Sequence, residues 1–470
     1  MVRPIKIFLY YLLIILLIIT LDQLINDAGF SLFPKFGTRQ TTARDSLMLL
    51  NIAREEVIDK NDTSLQTNIH HSALIIPSDS IDAKIYISND SALIAPYRFR
   101  KLFAAFCKEA AQTKEKRSII RILHMGDSQI EADRITGTLR QKFQEKYGGS
   151  GPGFIMPYDP LHINANVHLE NKGNWHLAYS YRHNDYPGKP DFGFAAKAAW
   201  FQTGEAGFTI SPIPWKNDRT QNFSVAKLFT TTGMDSLKIK VTADTALLAS
   251  VLLPPSPRIQ TFVLSNLPSG EKINFHFTSD DAPAFHGLTL DGEYGIAVDN
   301  IAMRGRPWPG IRLAENKLLK SMAEEMNIRL FLLQFGTNVL PTQTDNYHFY
   351  YTHFIRELRI LQNLFPDIPV LVVGVQSAAT LIDNKVKPLK HARLIADAQR
   401  AATLECDMGF IDLQKVMGGT NAAVEWAGQE PPLISSDYMH FTQRGARKIG
   451  SRIWMLMDSL SAKSLAETGK

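Results

Sequence analysis

Ser128 follows Gly126 and Asp127, and near the other end of the chain Asp437 stands three residues before His440. A serine hydroxyl is a poor nucleophile until a base takes its proton. Histidine suits that task near neutral pH, and it can return the proton to a leaving alkoxide. A carboxylate beside the histidine orients the ring and stabilises the imidazolium. Between these ends lie two groups of the kind that hold a developing oxyanion, the backbone N–H of Gly305 and the side-chain amide of Asn338, to which the N–H of Ser128 is added. The chemistry this set can do is acyl transfer through an acyl-serine, with no metal or organic cofactor. Each piece alone is common. Gly-Asp-Ser occurs by chance, Gly336-Thr337-Asn338 passes as an ordinary turn, and Asp437 passes as a helix cap.

Their placement in the chain gives the pieces weight. Phe99, Leu102, Phe103 and Phe106 fall on one face of a helix. Residues 118–123 (SIIRIL) read as a short buried strand that runs into HMGDSQ, and Ile135, Leu139 and Phe143 then mark a helix beginning directly after the turn. From about residue 296 helices (316–326, 348–364, 389–405, 442–460) alternate with strands (328–335, 369–375, 409–413). Such alternation implies βαβ units and a parallel sheet. In open parallel sheets ligands bind beyond the carboxyl ends of the strands, where Ser128, Gly305 and Asn338 are expected.

Residues 161–295 differ. Helical periodicity disappears, and about eight short β-branched or alternating runs are separated by Pro, Gly, Asn and Asp. This predicts an all-β sandwich inserted into the α/β domain. Trp175, Tyr181, Trp200 and Trp215 lie in or near it, and either core packing or stacking on sugar rings would explain them.

In this order the blocks resemble those of the SGNH (GDSL-type) hydrolase family: Ser128 in Gly-Asp-Ser, then Gly305, Asn338 in Gly-Thr-Asn, and Asp437 with His440. The resemblance covers roughly residues 118–155 and 296–460. The stretch HMGDSQIEADRITGTLRQKFQEKYGGSGPGF is similar to the bacterial branch containing peptidoglycan O-acetylesterases and polysaccharide acetylation proteins. The resemblance implies a flavodoxin-like parallel sheet in two parts, 96–160 and 296–470, around a sandwich that binds carbohydrate. It implies a catalytic triad of Ser128, Asp437 and His440, and an oxyanion hole of Ser128, Gly305 and Asn338. Two positions depart from the pattern: Gln129 stands where Leu is usual, as in several polysaccharide-acting members, and Val339 stands where Asp is commoner.

Other residues are weighed by place. Asp127 is expected to fix the turn, and Gln129 is a further candidate near the nucleophile. Trp308, between Pro307 and Pro309, is expected to wall the substrate cleft. His124 reads as a packed strand-end histidine, and Asp133 and Arg134 as a solvated helix face. His348 and His353 make no HExxH pattern, and GGSGPG lacks the Gly-Lys-Ser/Thr of a phosphate loop.

Arg3 and Lys6 precede an apolar run, IFLYYLLIILLIITL, with no A-x-A-like cleavage site near residues 20–29. Residues 1–27 are therefore expected to form an uncleaved signal anchor. The basic flank places the N-terminus in the cytoplasm and the rest outside. Polar residues 28–95 follow as a stalk containing a short strand near 83–87.

The 470 residues are 45% hydrophobic and 21% charged, which excludes a disordered chain and a polytopic membrane protein. A net charge of +5 from 51 basic and 46 acidic residues is too weak to suggest nucleic-acid binding. Cys107 and Cys406 are too few for a zinc cluster, although they could pair. The reading is an esterase at the periplasmic face of a bacterial inner membrane, acting on an acylated carbohydrate polymer such as peptidoglycan. The alternatives are an O-acetyltransferase with a membrane acyltransferase as partner, and a non-catalytic glycan-binding module.

Overall fold

The computed structural model describes residues 85–161, 165–181, 186–187, 191–213 and 219–468. The expected anchor and most of the expected stalk lie outside them. Among the described residues no helix is long and apolar enough to cross a membrane.

Seven strands form the central sheet: β1 (Ile85–Ile87), β2 (Leu93–Pro96), β3 (Ile119–Gly126), β4 (Gly295–Ala302), β5 (Ile328–Gln334), β6 (Val370–Val373) and β7 (Gly409–Ile411). Their spatial order is β1-β2-β7-β6-β5-β3-β4. From β4 to β7 every pairing is parallel. By chain order the parallel strands run 2-1-3-4-5, the flavodoxin-like order, whose switch point lies between its first and third strands. Here those are β3 and β5. The short strand expected near 83–87 is β1, and with β2 it adds two antiparallel strands to the central sheet beyond β7, in a stretch up to residue 95 expected as stalk.

Alternation along the strands buries both faces of this sheet. Leu123, Met125, Phe331, Leu333, Val370 and Val372 point to one side, where helices α3 (Asn316–Met326), α4 (His348–Leu364) and α5 (His391–Glu405) pack. Ile120, Ile122, Leu330, Leu332, Leu371 and Val373 point to the other, under α1 (Tyr97–Gln112), α2 (Thr136–Tyr147) and α6 (Gln443–Thr468). A sheet covered on both faces accounts for near-continuous apolar strands such as IRLFLLQ. Helix α3 begins where the Glu315 carboxylate accepts the Leu318 N–H (2.6 Å), and it ends at Asn327 in the left-handed region.

The chain leaves this sheet after α2 and returns at β4. In between, an antiparallel five-stranded sheet and a six-stranded one face each other. Phe208, Phe275, Phe277, Ile239 and Val241 of the first meet Phe201, Leu228, Phe285 and Leu288 of the second. The short strand Gly153–Ile155, which reads as loop in the sequence, pairs with Ala284–Asp291. Exit and return are adjacent, since the Gly295 N–H donates to Ser118 O and the Ile296 N–H to Gly148 O (both 3.0 Å). Buried Arg121 of β3 clamps the junction by donating to Asp299 of β4 (2.7 Å) and to Asp291 at the end of the last sandwich strand (2.6 Å). Burial pushes the Asp299 carboxyl up and works against the Arg121 cation, but the two carboxylates hold Arg121 above its usual range. Removing one member of such a cluster strands the others in the core, at a cost of about 3–5 kcal/mol.

Candidate active site

The structure places Ser128 in the turn that follows β3, at the switch point between β3 and β5. Gly126 makes that turn possible, because a Cβ there would lie 2.7 Å from Gln334 O and 2.9 Å from Ile130. The serine does not sit at the start of α2, as the sequence suggested. A 3₁₀ turn (Glu131–Asp133) intervenes, with Ala132 and Asp133 at φ 53° and 63°. Non-glycine residues in the left-handed region are uncommon and tend to collect at functional sites.

Ser128 Oγ lies 2.7 Å from His440 Nε2, and His440 Nδ1 lies 2.6 Å from Asp437 Oδ2. The other Asp437 oxygen accepts the backbone N–H groups of Met439 and His440 (3.0 Å each). Partial burial works to raise the Asp437 pKa, but the hydrogen bond from His440 and the two backbone donors outweigh it and hold the carboxyl at about 2. Asp437 therefore stays ionised wherever the histidine could act as a base.

The blocks are stitched to one another through backbone atoms. Gly126 O accepts the Met303 N–H (2.7 Å), which brings the Gly305 turn beside the serine turn. Gly305 takes φ 82°, a conformation that suits glycine. One amide N–H of Asn338 goes to Arg306 O (3.1 Å) and orients that side chain. Buried Asp127 accepts the Gln129 N–H with one oxygen and the Thr337 N–H with the other (2.9 Å each), tying the serine turn to the asparagine turn. Its burial pushes the carboxyl up, while these N–H groups favour the charged form.

Gln129 acts on the histidine loop. Its amide donates to Met439 O (2.7 Å) and accepts from the Phe441 N–H (3.3 Å), gripping the backbone on both sides of His440. Gln376 donates to the same Met439 carbonyl (3.0 Å). The Arg134 guanidinium reaches Ser128 O and Phe441 O, so it joins the serine turn to the histidine loop rather than lying on a solvated face. Asp133 is likewise engaged, with Arg140 and with Asn166 (3.0 Å). The sequence did not single out Gln376, since a glutamine that binds backbone leaves no pattern.

Trp308 is placed away from the expected cleft wall. It is 5% exposed and stacks on His353, with ring centroids 4.8 Å apart and an interplanar angle of 7°. The rigid Pro-Trp-Pro turn drives the indole into the core. His124 is fully buried against Thr136 (2.9 Å), and desolvation lowers its pKa to about 3. Trp175 lies inside the sandwich among Phe201, Phe277 and Phe285, with its N–H on Gly207 O (3.0 Å), and Trp200 is buried against His176. Tyr181 lies under the guanidinium of Arg306, 4.8 Å from its ring centroid. Trp215 is outside the described residues. Cys107 and Cys406 are both buried and unbonded to each other. Among the described residues no group of three or more His, Cys, Asp or Glu is placed to hold a metal ion.

No protein-family model and no curated protein matches this sequence. Among solved structures, the chain is similar to one described as a peptidoglycan O-acetylesterase in action. Identity is 18%, the match covers 78% of this chain and 96% of that one, and the TM-score is 0.61. Family two carbohydrate esterases from Clostridium thermocellum (9% identity, 56% and 94% covered, TM-score 0.27) and Cellvibrio japonicus (12%, 65% and 98%, 0.23) superpose too loosely to carry an argument. The first likeness extends over nearly the whole of the other chain. With the strand order, it gives this chain the fold of that structure, a flavodoxin-like parallel sheet with an added β domain.

Proposed function

We propose that this chain is a serine esterase that removes O-acetyl groups from a cell-envelope carbohydrate polymer such as peptidoglycan. The observation that carries the reading is the continuous relay from Ser128 Oγ through His440 to an ionised Asp437. His440 Nε2 takes the serine proton as Oγ attacks the ester carbonyl. The N–H groups of Ser128 and Gly305 and the amide of Asn338 receive the oxyanion. The tetrahedral intermediate collapses to acetyl-serine, and His440 delivers its proton to the departing sugar oxygen. Water, deprotonated by the same ring, then releases acetate. A single oxyanion donor is worth about 10²–10³ in rate. The structural neighbour with the same fold is described as a peptidoglycan O-acetylesterase, which supports the polymer class. The basic flank and apolar run at the N-terminus support a site outside the cytoplasm, tethered to the inner membrane.

The test is acetate release from p-nitrophenyl acetate and from O-acetylated peptidoglycan by the full-length chain beside Ser128→Ala. Turnover is expected to fall about 10⁴- to 10⁶-fold in the variant. Equal turnover by both proteins would sink the reading. Transfer to a sugar acceptor that outpaces hydrolysis would assign the same serine to an acetyltransferase.

A further inference from the structure

Gly305 and Arg306 form one short stretch that serves two of the proposed oxyanion donors. Gly305 supplies a backbone N–H, and the Arg306 carbonyl accepts an amide hydrogen of Asn338 (3.1 Å). Whatever fixes this stretch therefore fixes both donors. A loop holds such positions only where buried groups tie it to a rigid element.

That element is α4. Its buried residues Tyr350, His353 and Glu357 fall at i, i+3 and i+7, along one face. The Tyr350 hydroxyl donates to Pro307 O (3.0 Å), and the His353 ring stacks on Trp308. The Glu357 carboxylate accepts the Ile311 N–H and the Arg312 N–H (3.4 Å), where a 3₁₀ turn (Ile311–Leu313) begins.

The Arg306 side chain also turns inward. It is 2% exposed, stacks over Tyr181 and lies against Gly310, where an added Cβ would stand 1.5 Å from one of its nitrogens. Its two terminal nitrogens make no hydrogen bond, and neither does Glu357 Oε1. Burial works against the Arg306 cation, and the Glu357 charge is the chief influence opposing that. Burial likewise pushes Glu357 up to about 7, against the pull of Arg306, the two N–H groups and Arg312. Apolar residues of similar volume often match the stability of such a pair, so stability alone does not account for it.

We infer that Glu357 is a positioning residue for the proposed oxyanion hole: from α4 it holds the 306–312 turn at both ends, through the Arg306 charge and the Ile311 N–H, and so sets Gly305 and Asn338 relative to Ser128. The inference rests on the serine-esterase reading and adds to it a residue that does not touch the substrate.

The test is a double-mutant cycle on the full-length chain, with p-nitrophenyl acetate, at a pH where Glu357 is ionised. Glu357→Gln should lower kcat by about tenfold or more with KM nearly unchanged. In an Asn338→Ala background the same change should cost about threefold or less, because part of what it misplaces is already gone. Glu357→Gln combined with Arg306→Met strands no charge in the core, and it should show the same loss and the same coupling. A thermal melt shows whether each variant is folded. An equal loss in both backgrounds overturns the inference, as does an unchanged kcat in folded protein, a change confined to KM, or failure of both variants to fold. Turnover indifferent to Ser128→Ala would instead sink the esterase reading itself.

Discussion

The corner around Ser128, open to solvent at His440 and Asp437, and the buried interior of the sandwich are held together differently. Around the serine, polar side chains grip backbone atoms: Asp127 on Thr337, Gln129 on Met439 and Phe441, Arg134 on Ser128 and Phe441. In the sandwich, Trp175 is surrounded by the rings of Phe201, Phe208, Phe277 and Phe285 at centroid distances of 5.1–6.4 Å. Hydrogen bonds have directions and fix positions, whereas apolar contact is nearly isotropic and mainly supplies free energy. Damage to the first region should therefore appear in rate, and damage to the second in stability.

The largest expected effect is at the relay itself. His440→Ala should lower kcat by about 10⁶-fold, with an unfolding midpoint close to wild type, because the ring sits at a part-exposed loop. A large loss of stability in this variant would blur the division between the two regions. Trp175→Ala should do the reverse, costing about 3–5 kcal/mol in denaturant unfolding while the folded fraction keeps its turnover of p-nitrophenyl acetate. Acid should act on the scaffold before it touches Asp437. Burial lowers His286, in the sandwich, to about 4 and His124 to about 3, both from 6.5. As pH falls below 6.5 the unfolded chain takes up these protons and the folded chain does not, so stability drops by about 1.4 kcal/mol per pH unit per histidine. Asp437, held at about 2, keeps its charge throughout that window. Urea titrations between pH 7 and 4 should show the slope, and His286→Asn should flatten it by one histidine's share. The smallest effect sharpens the comparison most. Gln129→Ala should lower kcat by about 10²-fold through a misplaced His440, leave KM nearly unchanged, and be largely rescued by Gln129→Glu only where the carboxyl is protonated. A change confined to KM would remove Gln129 from this positioning role.

The residues proposed to do chemistry were legible because chemistry restricts their type. Ser128, Asn338, Asp437 and His440 could be read from spacing, and the long helices 316–326 and 348–364 from periodicity. What escaped was set by tertiary context. Arg134 looks like any helix-face arginine until the chain brings Phe441 beside it. Trp308 between prolines reads the same whether it faces solvent or His353. The strand near 83–87 could be read, but not that residues 85–96 extend the central sheet, because β2 pairs with β7 near the other end of the chain, and Gly153–Ile155 hides inside a glycine-rich run because its pairing partner lies more than a hundred residues away.

The insertion also dictates an order of events during synthesis. Strand β3 emerges from the ribosome carrying Ser128, but both of its neighbours in the sheet, β4 and β5, lie beyond the sandwich. At about 5–20 residues per second, roughly ten to thirty seconds pass before β4 becomes available. During that interval the sandwich strands have only one another to pair with. All strands of the β domain are thus synthesised before the sheet that carries Ser128 can close, and His440, on the loop before the last helix, is synthesised after the other residues of the proposed site.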